Sequence, residues 1–141
     1  AAMPGTIGGT YLGNPLSMVA VSTTIDYMQS IHINARGKQV GEQLRTRFNQ
    51  LKEKFPQHIT SVRGLGAMMA FELSEQGDYR RPNTSLAKKM VQKCYEKGLI
   101  IISAGVHGNV IRNLAPLVIT DEQLQSGLDI IESALTELVN G

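Results

Sequence analysis

The chain has 141 residues and a mass of 15.4 kDa, the length of one ordinary domain. Fourteen Lys and Arg against twelve Asp and Glu leave a formal charge of +2, which offers no strong field to a nucleic acid or an anionic membrane. A lone cysteine, Cys94, excludes an internal disulfide and a cysteine-rich zinc site, and no apolar run approaches the ~20 residues of a membrane-spanning helix.

Residues 1–14 carry no hydrophobic period. Gly5, Gly8, Gly9 and Gly13 punctuate them, and Asn14-Pro15 closes the segment. The reading is an arm belonging to a longer polypeptide, an expectation that the absence of an initiator Met also fits. From Pro15 the pattern turns helical. Asn14 is placed to cap, Pro15 suits the first helical position, and Leu16, Val19, Ala20, Ile25 and Met28 predict a largely buried helix. A second helix, about residues 34–54, is amphipathic, with Val40, Leu44, Phe48, Leu51 and Phe55 on one side and Pro56 as its stop.

The period then changes. Residues 59–63 and 68–73 read as short strands around Gly64-Leu65-Gly66, and residues 74–83 as a polar loop. Asn83 or Thr84 caps a helix that buries Leu86, Ala87, Met90, Val91, Cys94 and Tyr95, with Gly98 as its stop. Residues 99–103 and 110–114 read as strands about the turn Gly105-Val106-His107-Gly108. Thr120-Asp121-Glu122-Gln123 is a capping box for a last helix burying Leu124, Leu128, Ile131, Leu135 and Leu138. This order predicts an α+β layer: a short antiparallel or mixed sheet with helices on one face.

Few residues in this inventory can carry chemistry. Gly-rich backbone beside Thr10 can cradle an anion or simply turn the chain; no Lys follows as in a P-loop. Arg112 lies in Val110-Ile111-Arg112-Asn113-Leu114, and strand alternation sets it on the face opposite Ile111. A half-buried guanidinium there needs either a structural salt bridge at a sheet edge or a ligand anion. Arg63, flanked by Gly64, reads as a brace that bonds the carbonyls of a tight turn. His107 reads as an exposed turn histidine, Cys94 as an inert core thiol, and Met68 and Met69 as core filler. No His, Asp or Glu set has zinc spacing, and no Ser stands in a nucleophile elbow.

Five segments taken in order carry more than any one alone: Gly8-Gly9-Thr10-Tyr11 with Gly13-Asn14-Pro15; Val62-Arg63-Gly64-Leu65-Gly66; Lys97-Gly98-Leu99; Asn109-Val110-Ile111-Arg112; and Pro116-Leu117 with Thr120-Asp121. Together they resemble the C-terminal part of the class III aminotransferases, pyridoxal-phosphate enzymes of fold type I. The spelling from Gly105 to Val110 is similar to the 4-aminobutyrate enzymes of that family. The resemblance implies that residues 1–14 are the remnant of a large-domain, dimer-interface loop and residues 15–141 the small domain. It also implies that Gly9, Thr10 and Tyr11 hold the phosphate of the partner subunit's pyridoxal phosphate, and that Arg112 binds a substrate carboxylate.

The same resemblance places the cofactor-binding Lys and the Asp at the pyridine nitrogen upstream of Gly8, so that no catalytic residue falls in this chain. Its expected function is part of an enzyme, a homodimer or higher homo-oligomer, moving an amino group from an ω-amino acid, 4-aminobutyrate by the resemblance, to 2-oxoglutarate. By itself the chain is expected to be inactive and to bind no cofactor. Small amino and keto acids are its expected ligands, with no nucleic acid or membrane, and the cytoplasm its expected place. The rival expectation is a stand-alone α+β binding or dimerisation module.

Overall fold

The computed structural model describes Met3, residues 8–10 and residues 12–140. The chain divides into two compact units, Ala1–Asn34 and Ala35–Gly141.

Helix α1 (Pro15–Ser30) dominates the first unit. The Asn14 side-chain oxygen accepts from the backbone N–H of Leu16 at 3.0 Å and of Ser17 at 3.4 Å, and Pro15 opens the helix, as its sequence predicts. The expected burial is absent. α1 buries no residue, and Leu16 and Val19 are 81% and 65% exposed. At 100° per residue, Met18, Val21, Ile25 and Met28 fall within an arc of about 80°, while Leu16, Val19 and Ala20 lie on the opposite side, so the apolar residues divide between two faces. One packing neighbour would therefore cover only part of this helix.

The second unit contains most of α2 (Ile33–Lys54), then β1 (Ile59–Leu65), β2 (Met68–Glu75), β3 (Asp78–Pro82), α3 (Thr84–Glu96), β4 (Ile102–Ala104), β5 (Val110–Arg112) and α4 (Asp121–Asn140). Every strand pairing is antiparallel. The order across the sheet is β1-β2-β5-β4, and β3 pairs with the end of β2. The expected α+β class holds, and the antiparallel alternative is the one realised.

The core forms where Val40, Leu44, Phe48 and Leu51 of α2 meet Met90 and Cys94 of α3, Leu128 and Leu135 of α4, and Met69, Phe71, Leu73 and Ile111 of the sheet. Phe48 and Phe71 pack edge to face, their centroids 5.0 Å apart. α2 also carries a glycine at this buried face. A Cβ on Gly41 would overlap the carbonyl group of Gly66 in the β1–β2 turn, so the close approach of helix and hairpin requires Gly there.

Four local readings change. β3 lies in the segment read as a polar loop, because Gln76 and Gly77 both take positive φ, 55° and 71°, and turn the chain back along β2. Asp78–Pro82 has no apolar alternation, so only this turn and the backbone pairing reveal it as a strand. Residues 99–101 are not strand; β4 begins at Ile102. Tyr95 is 66% exposed, the edge of the α3 stripe rather than its centre. Met68 is 60% exposed while its neighbour Met69 is fully buried, since successive strand residues face opposite sides.

The capping box forms as read: Gln123 N–H donates to the Thr120 hydroxyl at 3.2 Å, and Thr120 N–H to the Gln123 side-chain oxygen at 3.1 Å. Near the other end of α4, Glu137 pairs with Lys97 at 2.6 Å and Lys93 at 3.1 Å. The Lys97 and Lys93 hydrogen bonds hold its carboxyl down at about 2, against an ordinary 4.5. A depressed carboxyl contributes stability above its unfolded value and loses it as pH falls through its folded one. The urea midpoint is therefore expected to drop between pH 4.5 and about 2, and Glu137→Gln to drop less over that window. Equal slopes for the two proteins would remove Glu137 from the acid response.

Candidate functional site

The sheet has two faces with different chemistry. Met69, Phe71, Leu73 and Ile111 turn one of them to the core. On the other, register sets Arg63 of β1 opposite Ala70 of β2, Ala70 opposite Arg112 of β5, and Arg112 opposite Ile102 of β4. Directly opposed residues share a face, so two arginines flank one small residue in a single row. Glu72 follows two positions along β2 on the same face, opposite Ser61 on one side and Val110 on the other.

Arg112 is half-buried on the face away from Ile111, as alternation predicts. Its Nε is fully buried and has no hydrogen-bond partner. Among the described residues it makes no ion pair, so the structural salt bridge considered from sequence is absent. Other arginines are satisfied: Arg36 by Asp121, Arg47 by Asp129 and Glu132, Arg63 by Glu72, Arg80 by Asp78, and Arg81 by Glu75. A guanidinium left in this state at a half-buried place suits a carboxylate, which it can hold through two parallel hydrogen bonds. Arg112 also lines a cavity of about 380 Å³ between β4 and α4, with Ile100, Ile102, Leu114, Leu124 and Ile131 among its walls. Apolar walls beside one fixed cation match a short aliphatic acid.

Arg63 departs from its expected role. It bonds the Ser61 hydroxyl at 3.2 Å and pairs with Glu72 at 2.6 Å; the Gly64 carbonyl accepts instead from Arg45, at 3.0 Å. The Arg63–Glu72 pair is what sequence reading missed, because it depends on the register of two strands. Glu72 also accepts from the Asn109 side-chain amide at 3.4 Å, while that amide donates to the Leu73 carbonyl at 2.7 Å.

In the first unit, Gly9 and Thr10 are exposed at a turn closed by the bond from Leu12 N–H to the Gly9 carbonyl, 3.1 Å. An exposed hydroxyl beside glycine backbone is a donor set that fits a phosphate. Tyr11 lies outside the described residues. His107 is exposed in its turn, its carbonyl accepting from Thr84. Burial pushes the Cys94 thiol up to about 11, which leaves it unreactive. Lys38, Lys52, Lys54, Lys88 and Lys89 are exposed, and Lys93 and Lys97 are engaged with Glu137, so none of these is a desolvated nucleophile. Among the described residues no helix is long and apolar enough to cross a membrane.

The model of the aminotransferase class-III family matches residues 1–135. The chain belongs to the class III aminotransferases. The 4-aminobutyrate aminotransferase of Escherichia coli is 39% identical over 137 residues, covering 97% of this chain and 32% of that protein. The 5-aminovalerate aminotransferase of Pseudomonas putida is 41% identical over 138 residues, 98% of this chain and 32% of that protein. Among solved structures, the acetylornithine aminotransferase of Elizabethkingia anophelis superposes with a TM-score of 0.79 at 34% identity, covering 96% of this chain and 32% of that one. This class III chain thus spans about a third of the length of the relatives it matches. Class III aminotransferases depend on pyridoxal phosphate.

Proposed function

We propose that this chain is the small domain, with a preceding interface arm, of a dimeric aminotransferase that moves the amino group of an ω-amino acid to 2-oxoglutarate. Arg112 carries the reading: a half-buried guanidinium with no counter-ion among the described residues is arranged for a carboxylate from outside the domain. It receives the carboxylate of the amino or keto acid and so orients the molecule, a proximity contribution. Gly9 and Thr10, with Tyr11, contact the phosphate of the partner subunit's cofactor. Pyridoxal phosphate, when bound, supplies the electron sink for the carbon that bears the amino group.

The similarity to 4-aminobutyrate and 5-aminovalerate aminotransferases favours a donor whose amine lies at the far end of the chain from its carboxylate. 4-Aminobutyrate is the donor we assign. The residues that bind the cofactor covalently belong to the remaining part of the protein, and the 141-residue chain alone performs no transfer. Assaying the full-length enzyme with 2-oxoglutarate against a panel of donors tests this. 4-Aminobutyrate is expected to give the highest kcat/KM, with 5-aminovalerate next. Preference for acetylornithine or for an α-amino acid without an ω-amine would overturn the assignment.

A further inference from the structure

Glu72 occupies an unusual position between two cations. It lies on β2, and its cross-strand partners are Ser61 and Val110; Arg63 and Arg112 each stand two residues further along on the same face. Diagonal neighbours of this kind are about 7–8 Å apart, within reach of long side chains. One carboxylate thus has two arginines within range. It engages Arg63 through one oxygen at 2.6 Å and turns the other to the Asn109 amide at 3.4 Å, while Arg112 pairs with no carboxylate among the described residues. Asn109 is itself 2% exposed and fixed by the Leu73 carbonyl, so its amide cannot swing away.

We propose that Arg63, supported by Asn109, is a positioning residue that holds Glu72 off Arg112 and so keeps Arg112 open for the substrate carboxylate. This rests on the reading of Arg112 given above. Without Arg63, Glu72 becomes an internal competitor tethered one diagonal away. A substrate then binds only the fraction of molecules in which Arg112 is free. If Glu72 takes Arg112 for about nine-tenths of the time, apparent affinity falls about tenfold. Arg63 also restrains Glu72 without contacting the substrate, so the chemical step itself is left alone.

The experiment uses the full-length enzyme and glutarate, a dicarboxylate with no group to react, followed by isothermal titration, together with KM and kcat for 2-oxoglutarate. Arg63→Met is expected to raise the glutarate Kd and the 2-oxoglutarate KM about tenfold while kcat changes by less than about twofold. Arg63→Met/Glu72→Gln is expected to return both to within about twofold of wild type, and Glu72→Gln alone to leave them there. Arg63→Lys keeps the charge near Glu72 and is expected to retain most of the affinity. If Arg63→Met does not fold, Arg63→Gln carries the same expectation.

An unchanged Kd in Arg63→Met, or a double variant as weak as the single one, overturns the proposal. So does a Glu72→Gln effect of equal size in both backgrounds, which would mean simple charge removal. Arg112→Gln separates the two readings. It is expected to abolish glutarate binding, and if it binds glutarate like wild type, the role of Arg112 itself fails whatever Arg63 does.

Discussion

Arg112→Ala in the full-length enzyme is expected to raise KM for 2-oxoglutarate by about 30- to 1,000-fold. Removing one member of a desolvated, hydrogen-bonded charge pair costs about 2–4 kcal/mol, and about 1.4 kcal/mol corresponds to a factor of ten. The direction follows from the state of the side chain. Its Nε is buried without a partner, so the folded protein already bears the cost of desolvating part of this cation. A bound carboxylate recovers that cost, and Ala has nothing to recover. Arg112→Lys keeps a charge but loses the planar fork, so it is expected to fall between wild type and Ala. Steady-state kinetics at varied 2-oxoglutarate checks all three proteins, and an unchanged KM in Arg112→Ala would remove Arg112 from the site.

Phe48→Ala is the largest stability effect expected in the Ala35–Gly141 unit. Phe48 is fully buried on α2 and meets Phe71 of β2 edge to face at 5.0 Å, so it joins the helix layer to the central strand of the sheet. Truncating a buried Phe removes its transfer free energy and leaves a cavity, together about 3–5 kcal/mol. Urea unfolding followed by far-ultraviolet circular dichroism measures it. Tyr95→Ala is the control: at 66% exposure on α3 its loss is expected to stay within about 0.5 kcal/mol. Similar midpoints for the two variants would mean that the core is not organised around the Phe48–Phe71 contact.

What was readable in advance depended on the range of the interaction. Asn14, the Thr120–Gln123 box and Gly98 act within one helical turn, and each is found in the role its neighbours imply. The α2 stripe was readable because five apolar residues at helical spacing can share only one face, and all five are buried. α1 was misread for the converse reason. Its apolar residues divide between two opposite faces, and spacing along the helix does not decide whether a neighbour covers either of them. β3 was missed because backbone pairing to β2, rather than side-chain alternation, makes it a strand.

At the site the same division holds. The five ordered motifs carried the resemblance to the family, and strand alternation set Arg112 on the face opposite Ile111. The sequence holds no His, Asp or Glu set at zinc spacing and no Ser in a nucleophile elbow. Only the tertiary structure decided that Arg112 has no counter-ion among the described residues, that Arg63 engages Glu72 rather than the turn carbonyls, and that Gly41 is required by the Gly66 carbonyl. Each of these turns on residues brought together from separate elements, at distances of a few ångströms that strand register and helix packing set. Charge pairing and steric overlap change sharply over such distances, and local spacing along the chain carries no record of them.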